Sequence, residues 1–246
     1  MASFSVLKEL DDLNSLEKQV NEALLKASQG NLISRPISLA SLPLPQTPLA
    51  EKATAYAKSS LNLEVFQHSM RSYYFGTAIA SQHFPHFDWD PHTAYLAAML
   101  HDVGLTSEAF ALTRMSFEFH GGILAREFLL KEGASPRVSD TVAEAIFRHR
   151  DQIHLDGGAT CGHSPEGVLL ILGTHLDVYG AFAPLIHVDT IDDVVARFPR
   201  AAFGNVFADL LEEEVKVKGF CATAKVVQSG GLDKIRNNSV FAKYDC

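Results

Sequence analysis

Cysteine is scarce in this chain. Its three residues, Cys161, Cys221 and Cys246, stand too far apart for a disulfide framework. The fold must therefore rest on an apolar core, and a reducing, cytoplasmic setting is expected. Long hydrophobic runs are missing as well. No uninterrupted apolar stretch approaches the ~20 residues that span a bilayer, and the start, Met1-Ala2-Ser3-Phe4-Ser5-Val6-Leu7-Lys8, lacks a signal peptide's apolar region. No membrane partner is expected. Positive charge is in deficit: 21 Lys and Arg against 29 Asp and Glu leave a net charge of −8. Nucleic acid is disfavoured as a partner, because phosphate backbones are bound by basic patches. Alternating strand patterns are few, and no internal repeat or heptad run is visible. What the chain does have is 47% hydrophobic residues over 246 positions, enough for a sizeable core in one large domain or two small ones.

Those apolar residues recur with helical spacing. Leu7, Leu10, Leu13, Leu16, Val20 and Leu24 repeat at threes and fours with charges between them, which predicts an amphipathic helix within the first 30 residues. Prolines at 36, 43, 45 and 48 make the next segment an extended connector. Residues 1–46 read as an N-terminal arm, packed on the core or on a neighbouring subunit of a homo-oligomer, and 47–246 as the main domain. Helices are predicted over 50–60, 63–84, 115–131 (with Gly133 as the stop), 138–150, 189–197 and 206–217. Two more are marked by their first turns: Asp90-Pro91 opens one that ends on His101-Asp102, and Ser164-Pro165 opens one that runs to Asp177. A loop through Gly157-Gly158 and Cys161-Gly162-His163 separates the helix over 138–150 from the one that Ser164-Pro165 opens. The fold class is all-α.

An imidazole and a carboxylate at the end of the apolar run 94–100 are unexpected, since charged groups in apolar surroundings must be paired or bound to a metal. With His68 upstream and Asp177 downstream, the His101-Asp102 pair forms a set of two imidazoles and two carboxylates on three predicted helices. Such a set suits Zn2+, Fe2+ or Mn2+. Taken singly, each residue has a plainer explanation. Asp102 could cap a helix, His101 could be a hydrogen-bonded core histidine, and Asp177 could pair with an arginine.

The neighbouring segments narrow the choice. His68-Ser69-Met70-Arg71, His101-Asp102-Val103-Gly104 and Leu176-Asp177 occur in the order of the HD-domain superfamily of helical metallohydrolases. Arg114-Met115-Ser116-Phe117-Glu118, Gly121-Gly122-Ile123 and Val142-Ala143-Glu144-Ala145-Ile146-Phe147-Arg148-His149 resemble the fungal cyanamide hydratase family. The resemblance covers roughly residues 50 to 200. It implies an HD-domain helical bundle, one zinc held by His68, His101, Asp102 and Asp177, and hydration of cyanamide to urea by a hydro-lyase. His149 then becomes a proton shuttle, a ligand to a second metal, or a helix-end cation. Glu118 could orient a substrate amine or hold an arginine, and Thr174, on the same helical face as Asp177, could line the pocket or bond to backbone. The catalytic candidates are Asp102, His149 and Glu118, and the substrate-binding candidates Thr174, Leu105 and Phe117.

Leu105 also bears on the substrate. Many phosphohydrolases of the superfamily carry a lysine soon after the His-Asp pair. An apolar residue there, with Phe117 and Phe119 nearby in sequence, fits a small neutral molecule better than a phosphate dianion. A nucleotide phosphohydrolase is the competing enzyme reading, and a metal-stabilised binding protein the non-enzymatic one. Arg148 reads as a surface partner of Glu144 at the i,i+4 spacing.

Overall fold

The computed structural model describes residues 3–153 and 162–245, with side chains from residue 16 onward. Gly157, Gly158, Cys161 and Cys246 lie outside the described residues, as do the side chains of Leu7, Leu10 and Leu13. Every regular element described is helical: α1 Ser3–Ser28, α2 Pro48–Ser60, α3 Leu63–His83, α4 Pro91–Leu100, α5 Ser107–Leu112 and α6 Phe117–Lys131. The rest are α7 Pro136–Arg148, α8 Pro165–Tyr179, α9 Val188–Arg197, α10 Phe203–Val217, α11 Thr223–Gln228 and α12 Gly231–Arg236.

The helix starts follow the expected chemistry. Asp90 accepts from the backbone N–H groups of His92 and Thr93, and Ser164 from that of Gly167, each followed by a proline in the first turn. Three short helices escape the sequence reading. α5, α11 and α12 have six residues each, too few for a 3.6-residue period to show. The proline-rich connector holds one 3-10 turn, Leu39–Ser41.

α3 and α8 form the centre of the bundle, and glycines let them touch. A Cβ on Gly173 would stand 1.9 Å from the carbonyl oxygen of Ser72, and one on Gly76 would stand 2.2 Å from that of Leu169. This approach sets His68 of α3 against Asp177 of α8. A second glycine contact fixes the turn after α4. A Cβ on Gly104 would meet the carbonyl of Phe117 at 2.2 Å, so the start of α6 is pressed onto the His-Asp turn. Gly121 packs against the same turn, and Gly122 beside it leaves room for the Phe147 ring of α7.

The N-terminal arm packs on its own chain. Leu16 and Val20 are buried and join the same apolar core as α3, α4 and α8. Glu17, also buried, accepts hydrogen bonds from the backbone N–H of His163 at 3.0 Å and from its Nδ1 at 2.7 Å.

Overpacking should expose the α3–α8 dependence. Gly173→Ala should cost at least about 1–3 kcal/mol, read as a lower denaturant midpoint at unchanged slope. An unaltered midpoint would mean that the two helices can part freely.

Candidate metal centre

Two of the histidines are placed by one device. A helix leaves its last carbonyls without intrahelical partners. His101 follows α4 directly and donates from Nδ1 to the carbonyl of Ala98 at 2.8 Å. His149 follows α7 and donates from Nδ1 to the carbonyl of Ile146 at 2.7 Å. His68, inside α3, donates from Nδ1 to Asp177 Oδ2 at 2.7 Å. In each neutral ring the proton is thus on Nδ1, leaving a lone pair on Nε2.

The lone pairs converge with a carboxylate. His101 Nε2 lies 3.0 Å and His68 Nε2 3.8 Å from Asp102 Oδ2. The ligand atoms of His68, His101 and Asp102 all fall within 4.8 Å of one another. The His68 and His101 rings meet edge to face at 5.1 Å, and His149 stands 5.2 Å from His101 on the other side. Asp102 is fully buried, and neither of its oxygens has a hydrogen-bond partner. A buried carboxylate facing two nitrogen lone pairs is an arrangement of acceptors only. It is costly as it stands and is satisfied by a cation at their centre. Without one, the carboxylate favours a proton on the ring it faces. Burial opposes charge on His101, yet the Asp102 carboxylate outweighs it and raises the imidazole above its ordinary value. Burial likewise works against ionised Asp102, but His101, His68 and His149 bring its pKa down to about 2.

Asp177 is placed differently from the other three. Its Oδ1 accepts from Arg71 Nε at 2.9 Å and Arg200 Nη1 at 2.7 Å, and its Oδ2 from Arg71 Nη2 at 2.8 Å as well as from His68. Burial would raise its pKa, but Arg71, Arg200 and His68 prevail and hold it well below the usual carboxylate range. Both oxygens are engaged on the Nδ1 side of His68, and the carboxylate orients that ring, as outer partners of metal-binding histidines do. The plainer reading of Asp177, an arginine partner, describes its contacts. Arg200 is anchored in turn by Asp245 at 2.7 Å and lies between the rings of Phe203 and Phe241.

Comparisons with known proteins assign the chain to a family. An HD domain profile matches residues 65–172, a span that holds His68, His101, Asp102 and His149 but ends before Asp177. Cyanamide hydratase DDI2 and Cyanamide hydratase DDI3 of Saccharomyces cerevisiae are each 34% identical to the chain over 184 residues, covering 74% of this chain and 80% of theirs. The chain belongs to the cyanamide hydratase family of HD-domain proteins. The HD domain implies a divalent metal, and the partnerless oxygens of Asp102 fit one.

In this member of the hydratase family a cavity of about 780 Å³ opens beside the cluster. His149, Thr174 and Phe117 line it. Thr174 does both things expected of it, since its hydroxyl also donates to the carbonyl of Leu170 at 2.8 Å. Leu105 is buried in the core and does not line the cavity, and Phe119 is 45% exposed. Glu118 holds an arginine, Arg150, at 3.2 Å, and is not part of the cavity wall. His149 is held toward its neutral form: burial and then neighbouring His101 lower it to about 3. Arg148 pairs with Glu144 at 3.6 Å, as its spacing predicts, and with Asp151 at 3.1 Å.

Several participants were not foreseen. Arg150 lies over the ring of Phe117 and donates to Thr223 as well as to Glu118. Its place in Arg148-His149-Arg150 was a usable signal. Phe203 stacks on His68 with centroids 4.6 Å apart, and Arg200 grips Asp177, but both lie on segments with no distinguishing pattern.

Asp102→Asn keeps the shape of the site and removes its charge. It should lose bound metal by elemental analysis, and the wild type's metal affinity should fall as the pH is lowered, because protonation of the imidazoles competes with the cation for their lone pairs. A full metal equivalent in the variant would place the cation elsewhere. Asp177→Asn should destabilise the fold by about 3–5 kcal/mol, because it strands two buried guanidinium groups. A near-neutral effect on unfolding would deny that role.

Proposed function

We propose that the protein is a metal-dependent hydratase that adds water to the nitrile carbon of cyanamide, giving urea. The observation that carries this reading is the buried Asp102 carboxylate, partnerless among imidazole lone pairs, in a chain of the cyanamide hydratase family. His68, His101 and Asp102 would hold the ion, with His149 alongside and Asp177 steadying His68 from behind. Zinc suits nitrogen and oxygen donors of this kind, and Fe2+ or Mn2+ are the alternatives. When bound, the cation supplies Lewis acidity and lowers the pKa of water from ~16 toward ~7, making a nucleophile available at neutral pH.

The chain's own groups do the rest. Asp102 carries two free acceptor oxygens, so one can take a proton from water and return it to the nitrile nitrogen. The imidic acid so formed tautomerises to the amide. Phe117 and Thr174 present uncharged surface to the substrate. The guanidinium groups closest to the cluster are already paired, Arg71 and Arg200 with Asp177 and Arg150 with Glu118. A neutral nitrile needs no counter-charge there, whereas a phosphate dianion does.

The deciding experiment is urea release by the zinc-loaded protein from cyanamide, run beside a panel of nucleoside monophosphates. Cyanamide should be turned over, Asp102→Asn should be inactive, and phosphate release should be absent. Turnover of a nucleotide with cyanamide inert would establish the phosphohydrolase reading instead.

A further inference from the structure

The cavity beside the metal cluster is far larger than cyanamide, and its surplus wall is mostly apolar. About 780 Å³ lies within the roughly 300–1,000 Å³ of sites that enclose drug-sized molecules. Cyanamide has three heavy atoms and occupies the space of about two waters, at ~30 Å³ each. The direction of the surplus can be traced along α10. Phe203 stacks on His68 at 4.6 Å, Phe207 lies one turn on at 5.7 Å from the same ring, and Leu211 follows a further turn, about 6 Å, along the helix. Val226 of α11 lines the cavity beside Leu211, Arg150, Gln152 and Tyr179 supply polar wall elsewhere, and the exposed Ser229 and Lys234 stand at the rim. The α10 and α11 side of the path from the buried cluster to solvent is therefore apolar. A substrate no longer than cyanamide would leave those side chains facing water, where burial by a ligand is favourable.

We infer that the cavity takes an N-substituted cyanamide, with its nitrile at the cluster and an alkyl or aryl substituent lying along Phe207, Leu211 and Val226. This rests on the hydratase reading and narrows its substrate class. The reaction stays balanced. The oxygen of water bonds to the nitrile carbon and becomes its carbonyl oxygen, both carbon–nitrogen π bonds give way to the new carbon–oxygen σ and π bonds, and both water protons end on the former nitrile nitrogen. The product is an N-substituted urea. No group leaves, and nothing is oxidised or reduced.

The test compares cyanamide with N-methyl-, N-butyl- and N-hexylcyanamide on the zinc-loaded full chain. Each methylene buried should raise kcat/KM about fourfold until the cavity is filled. Binding of N-hexylurea, followed by calorimetry, gives a readout independent of turnover. Leu211→Trp and Val226→Trp fill the path from two different helices, so misfolding of one variant leaves the other. Each should weaken N-hexylurea about tenfold and reduce the preference for N-hexylcyanamide over cyanamide. Turnover of cyanamide with N-hexylcyanamide inert and N-hexylurea unbound overturns this inference and leaves the hydratase reading standing. If no member of the series yields a urea, both fall.

Discussion

A negative charge sealed in an apolar core, facing the lone pairs of two imidazoles, is the constraint that organises this protein. Asp102 cannot be solvated, and its nearest neighbour, His101 Nε2 at 3.0 Å, presents a lone pair while that ring is neutral. The helix-terminal carbonyls of Ala98 and Ile146 deepen the problem, because they draw the protons of His101 and His149 away from the cluster. Only a proton or a cation relieves it. The folding free energy of such a site is inseparable from what occupies it, and the rest of the bundle can be read as the scaffold that keeps the acceptors together.

That scaffold is electrostatic as well as apolar. Arg71, Asp177, Arg200 and Asp245 alternate in sign, and the first three are fully buried. Two positive and two negative groups neutralise one another, so the array stays within the bundle without net charge. Breaking one link would leave the others exposed to the full penalty of burial. Its working end is the hydrogen bond to His68, and it can reach that ring only because glycines bring α3 and α8 into backbone contact. The aromatic stack of Phe203 on His68 closes the remaining side. One imidazole is thus fixed through its Nδ1, through its face and through the helix that carries it.

Much of this was legible from residue order. Proline and capping residues marked the starts of α4 and α8, and helical spacing marked the long elements. His68, His101 and Asp102 stood out because polar groups interrupt apolar runs. Asp177 stood out for the same reason, yet its contacts depend on Arg200, which sits on an unpatterned segment between α9 and α10 and is brought in only by the fold. Leu105 and Phe117 looked alike as apolar neighbours of the site. Their separation into core and cavity wall depends on which way the turn after Gly104 faces, and that is set by contact with the start of α6. The short helices α11 and α12, which supply the cavity rim, carry too little periodicity to be seen in advance.

The order of these groups along the chain has a consequence for how the site is assembled. His68 lies on α3 and His101-Asp102 directly follow the next helix, α4, whereas the carboxylate that orients His68 arrives 109 residues later. A chain growing from its N-terminus therefore displays a complete trio of donors well before it can make their support. Unfolded histidines and carboxylates also bind divalent ions, which weakens the stabilisation that such an ion gives the native state. An ion captured early would be held loosely and without discrimination, and selectivity would come only when α8 closes on α3. Metal choice in this protein is then a property of the finished bundle and of the ions available during synthesis, more than of the three donors themselves.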